Sequence, residues 1–84
     1  MEFTQKDELG LERTYYVVTQ LELDGEKYYI YTDLVKSQNK EFRLLVGQTD
    51  NGRVIRVEPA LEQRVIDYFT ILESNFKKYL KETL

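Results

Sequence analysis

The side chains of this chain that could do chemistry are carboxylates, hydroxyls, lysines, arginines and tyrosines, because it has neither histidine nor cysteine. Without imidazole, the commonest general base, the commonest metal ligand and the usual near-neutral pH switch are missing. Without thiols, disulfides, thiolate nucleophiles and thiolate metal sites are missing too. Ser37, Ser74 and the threonines therefore have no base of the triad kind. Glu22, Asp24 and Glu26 gather at one point of the chain. They could hold only a hard cation such as calcium. Their spacing is not that of a calcium loop, and a solvated turn accounts for them. Asp50-Asn51-Gly52 reads the same way, and Asp67 and Glu73 read as solvent-facing carboxylates. Gly10, Gly25, Gly47 and Gly52 are isolated, so they build no phosphate-cradling loop. The expectation is a protein that is not an enzyme and takes no cofactor and no metal.

What remains is tyrosine beside arginine, with seven tyrosines among 84 residues. The elements that must bring them together follow from local pattern. The first half is rich in Tyr, Val, Ile and Thr, which suit a pleated surface. Leu11 to Leu23 reads as a long strand, Asp24-Gly25 as a two-residue hairpin turn, and Glu26 to Thr32 as the returning strand. Asp33 to Glu41 is polar and reads as a loop. Phe42 to Gln48, the turn Asn51-Gly52 and Arg53 to Val57 form a second hairpin. Met1 to Gln5 alternates as a short first strand would, with Lys6 to Gly10 as its turn. The only proline, Pro59, marks the change to helix, since it is preset for a first helical position. Leu61, Val65, Tyr68, Phe69, Leu72, Phe76, Tyr79 and Leu80 then recur at helical steps to about Leu80.

The hairpin turns set registers, and opposed residues share a face. With Asp24-Gly25 as the turn, one face carries Tyr15, Val17, Leu21, Leu23, Tyr28 and Ile30. The other carries Tyr16, Val18, Gln20, Tyr29 and Tyr31. With Asn51-Gly52 as the turn, Phe42, Leu44, Val46, Ile55 and Val57 share one face. Arg43, Leu45, Val54 and Arg56 share the other. The more apolar faces should join and receive the helix, with Leu72 and Phe76 buried against Ile30, Leu44 and Val46. The opposite face then gathers the candidate binding residues Tyr16, Tyr29, Tyr31, Arg43 and Arg56.

Tyr and Arg are enriched where proteins bind proteins, and aromatics beside Arg can also stack on single-stranded bases. Tyrosines are also good strand formers, and arginines can simply cover them. The chain carries 12 Lys+Arg against 15 Asp+Glu, a net charge of −3, which weighs against nucleic acid. A protein partner or a homodimer is the favoured expectation. A ligand pocket between helix and sheet, near Tyr28, Phe42, Leu72 and Phe76, is a further alternative. No apolar run approaches the ~20 residues of a membrane span, and the N-terminus lacks the features of a signal peptide. A cytoplasmic protein without membrane contact is expected.

The pattern resembles the YrzB-like family of small uncharacterised bacterial proteins, mainly Gram-positive. The likeness rests on a short first strand with a charged turn ending in Gly10, then a long strand running into Leu21-Glu22-Leu23-Asp24-Gly25-Glu26-Lys27-Tyr28-Tyr29. It continues through the hairpin to Pro59 and the terminal helix. It covers nearly the whole chain, which departs from the family in a less acidic, more basic C-terminal helix. The resemblance implies a fold and a cytoplasmic setting, and transfers no activity and no site residues. The sequence therefore predicts one α+β domain over residues 1–84. It is an antiparallel meander of four or five strands followed by one C-terminal helix packed on one face.

Overall fold

A computed structural model describes residues 1–36 and 38–83. Ser37, within the expected loop, and Leu84 lie outside the described residues. The element order is β1 (Glu2–Lys6), β2 (Glu12–Leu23), β3 (Glu26–Thr32), β4 (Leu45–Asp50), β5 (Arg53–Arg56) and α1 (Pro59–Thr83). The five strands form one sheet in chain order, every pair antiparallel, and the helix follows. The fold is thus α+β, with the first strand present. No helix among the described residues is long and apolar enough to cross a membrane.

The hairpins form where turn chemistry demands. Asp24 and Gly25 have φ of 54° and 79°, and Asn51 and Gly52 have 50° and 78°. Two successive positive φ values give the turn whose twist suits a two-residue hairpin, and Asp, Asn and Gly tolerate them best. Leu23 accordingly faces Glu26, and Asp50 faces Arg53. The β1–β2 turn is held by Asp7, whose carboxylate accepts the Leu9 and Leu11 amides at 2.9 and 3.0 Å. Arg13 Nε also donates to Asp7, at 2.6 Å.

β4 begins three residues later than the pattern predicts. Leu34 and Lys40 sit at φ 62° and 61°, which breaks extension, and Phe42 makes only an isolated bridge to Lys36. The Phe42 ring is half-exposed under the Lys36 ammonium, 5.3 Å from its centroid.

A second difference changes the faces. Thr19 pairs with Ile30, but Val17 pairs with Tyr31, so Val18 is an extra residue in β2. Such a bulge turns everything beyond it to the other side of the sheet. Tyr15 and Val17 therefore join the side of Tyr31. Tyr16, opposite Thr32 and Glu2, moves to the side that carries the helix.

The core lies between that side and the first half of α1. Tyr28, Ile30, Val46 and Val65 are buried, with Leu21, Leu23, Leu44, Val57, Leu61, Ile66 and Phe69 packed around them. Leu72 and Phe76 do not reach the sheet and are 42% and 61% exposed, contrary to expectation. Length explains this. A helix of 25 residues runs about 37 Å, whereas the six residues of β4 span only about 20 Å. From Thr70 to Lys81 every residue is exposed.

Candidate functional site

The sheet curls away from the helix until its two edge strands meet. The Gln5 amide carries the same donor and acceptor as a peptide group, and it uses both on Val54. Nε2 donates to the Val54 carbonyl at 2.8 Å, and Oε1 accepts the Val54 amide at 3.0 Å. An Arg53 guanidinium nitrogen donates to the Lys6 carbonyl at 3.3 Å. β1 and β5, at opposite ends of the strand order, are thereby joined through side chains. The face opposite the helix becomes a cleft of about 530 Å³.

Its floor is aromatic. Phe3 and Tyr15 are paired across β1 and β2 and stack at 5.2 Å between ring centroids. Tyr31 meets both edge-on, at 5.6 Å from Phe3 and 5.5 Å from Tyr15. Offset and edge-on contacts at these distances are the favoured ones for aromatic rings. Gly47 makes the tight packing possible. A Cβ there would lie 2.6 Å from Val54 Cγ1 and 3.1 Å from Tyr31 Cε1. Burial pushes the Tyr31 phenol up to about 12, and the positive charge of Arg56 only partly opposes this. Tyr31 is therefore a neutral hydroxyl at any physiological pH. Among the described residues neither the Tyr15 nor the Tyr31 hydroxyl has a hydrogen-bond partner, and neither is sealed from solvent.

The rim is cationic. Arg43, Arg53 and Arg56 all line the cleft, with Lys6 beside them and Asp7 and Glu8 at its β1 end. Each arginine is tethered. Arg43 donates to Asp33, Arg53 to the Lys6 carbonyl, and Arg56 to Glu62 twice, Nε to Oε2 at 2.8 Å and the second nitrogen to Oε1 at 2.7 Å. Glu62 Oε2 also accepts the buried Val46 amide at 3.0 Å. Burial opposes the charge on Glu62. The hydrogen bonds from Arg56 and Val46 outweigh it and hold the carboxyl below the usual range. Asp33 behaves alike, with burial outweighed by the bond from Arg43. A guanidinium has five donors, so each of the three is positioned yet keeps several donors for something else.

The five candidate residues are thus divided. Tyr31, Arg43 and Arg56 come together in the cleft. Tyr31 is buried, because the curl encloses it. Tyr29 shares its side of β3 and faces Gly47, half-buried, outside the cleft lining. Tyr16 lies on the opposite side because of the bulge. Phe3, Tyr15 and Arg53 take part instead. Gly47, an isolated glycine in the interior of a strand, was the signal of a close approach. The expected pocket near Tyr28, Phe42, Leu72 and Phe76 is replaced by this one, on the other side of the sheet.

Among the described residues no three acidic groups are placed to hold a metal ion. The arrangement can do recognition: an aromatic floor, two phenolic hydroxyls and three tethered guanidinium groups lining one cleft. Comparison with family models, with characterised proteins and with solved structures finds no match.

Proposed function

We propose that this protein is a non-catalytic binding module that acts through protein contacts, with the cleft as its binding site. The occupant is a peptide segment in which a carboxylate adjoins an aromatic side chain. One observation carries the reading: three tethered arginines line the same cleft as the stacked Phe3–Tyr15 pair and the edge-on Tyr31 ring. Apolar clefts of 300–1,000 Å³ with a few convergent polar groups are the usual form of a recognition site. Arginines already held in place lose little freedom on binding, so their bidentate bonds to a carboxylate come at low entropic cost. Kinship with YrzB-like proteins, cytoplasmic residence and the single-domain organisation are part of the same proposal; the single sheet followed by one helix supports the last of these.

The test is an NMR titration of isotope-labelled protein with a short peptide containing Glu-Phe, its Gln-Phe counterpart, and free phenylacetate. The Glu-Phe peptide should shift Phe3, Tyr15, Tyr31, Arg53 and Val54 in a saturable way, with the Gln-Phe peptide at least about fivefold weaker, since charge-assisted bonds are roughly twice as strong as neutral ones. Arg53→Gln should weaken binding without altering the fold. Equal binding of the two peptides, or shifts away from the cleft, would refute the reading. Phenylacetate binding as tightly as the peptide would make the occupant a free small anion instead.

A further inference from the structure

The second half of α1 carries an apolar stripe that the sheet does not cover. Leu72, Phe76, Tyr79 and Leu80 are 42%, 61%, 63% and 39% exposed. At 3.6 residues per turn they continue the line of Val65 and Phe69, the residues that dock the helix on the sheet. The spacing Val65–Phe69–Leu72–Phe76–Tyr79 alternates steps of four and three, which is the seam of a helix pair. Lys78 and Lys81 lie on the far side of the helix, and Lys77, at the edge of the stripe, is paired with Glu73 at 3.8 Å. Covering the seam therefore leaves no lysine buried without a partner.

We propose that this stripe is covered by the same stripe of a second copy, the two helix ends lying antiparallel. The geometry excludes the parallel arrangement, because the stripe that would face the partner holds the sheet over Leu61 to Phe69. Parallel helices would force two sheets into the same space. An antiparallel overlap centred between Phe76 and Tyr79 sets each of these rings against the other copy's and leaves the two sheets at opposite ends. Covering the four side chains on both copies, with the flanking Glu73 and Asn75, buries on the order of 1,000–1,200 Å² in total, at the lower edge of specific interfaces. An interface of this size belongs to the weak, transient class, so the dimer is sought at high protein concentration. The overlap leaves the cleft of each copy facing solvent, so this inference does not depend on what the cleft binds.

The test is sedimentation of the full chain over a concentration series. Its mass should rise from the monomer's 10.1 kDa to twice that value at concentrations of about 100 μM. Phe76→Glu should remain monomeric throughout while keeping the wild-type circular dichroism spectrum and, at concentrations where the wild type is itself monomeric, its melting temperature, since the residue touches no core. If that variant loses its fold, Leu80→Glu serves in its place. A wild-type chain that stays monomeric at about 500 μM would overturn the inference, as would dimers formed equally well by both variants. Binding to vesicles of anionic lipid by a chain that remains monomeric would also overturn it, because the lysine-backed stripe would then be a membrane-surface helix.

Discussion

Glu62 is the residue on which β4, β5 and α1 converge, and its replacement by glutamine has a calculable cost. In the native protein Oε2 accepts Val46 N–H and Arg56 Nε–H, and Oε1 accepts the second Arg56 nitrogen. Glutamine can place its oxygen at the Oε2 position and keep two of these bonds. Its amide nitrogen then faces a guanidinium donor, so one charge-assisted bond is lost along with the carboxylate charge. Hydrogen bonds to charged groups contribute about 1.5–3 kcal/mol. Arg56 is half-exposed, so solvent screening reduces this towards the lower end, about 1.5 kcal/mol. In a domain of this size that lowers the melting temperature by about 6–12 °C at pH 7. The pH dependence distinguishes a lost ion pair from general disruption. The folded-state pKa of Glu62 lies below the ordinary glutamate value of 4.5. Its contribution is therefore complete above that value and is lost as pH falls through the folded pKa. Melting curves followed by circular dichroism should show the gap between wild type and Glu62→Gln narrowing below about pH 4.5. Asp7 and Asp33, also held low, titrate in both proteins and cancel in the difference. A gap absent at pH 7, or constant down to pH 3, would refute the reasoning.

Gly47→Ala should destabilise by about 1–3 kcal/mol through overpacking against Val54 and Tyr31, and Val54→Ala in the same chain should recover part of that loss in a denaturant titration. Gln5→Leu removes the side chain that bonds both the amide and the carbonyl of Val54. It should cost about 1–2 kcal/mol and speed hydrogen exchange at Val54 while leaving exchange in β3 unchanged. Leu72→Ala should cost under about 1 kcal/mol, far less than the 2–5 kcal/mol of a buried leucine, and a larger loss on thermal melting would mean that the helix docks along its whole length.

The strands, both two-residue turns and the helix start could be read from the chain because their causes are local. Asp24-Gly25 and Asn51-Gly52 tolerate positive φ whatever surrounds them, Pro59 is suited to a first helical turn, and the absence of histidine and cysteine needs no structure to interpret. The sidedness of the sheet could not be read in the same way. Turn geometry propagates register only until something interrupts it, and nothing in Thr14-Tyr15-Tyr16-Val17-Val18-Thr19 announces that Val18 is the residue left over. That bulge exchanged Tyr16 for Tyr15 at the site. Periodicity showed the apolar stripe of α1 at its full length, but how far the stripe is covered depends on how wide a sheet lies beneath it, which leaves Leu72 and Phe76 in solvent. Arg43 and Arg56 could be placed near Tyr31 by pairing, yet their anchoring carboxylates come from a loop and from the helix. The cleft itself rests on Gln5 reaching Val54, 49 residues away. A contact of that separation has no local signature, because it exists only after twist and curl have carried one edge of the sheet round to the other.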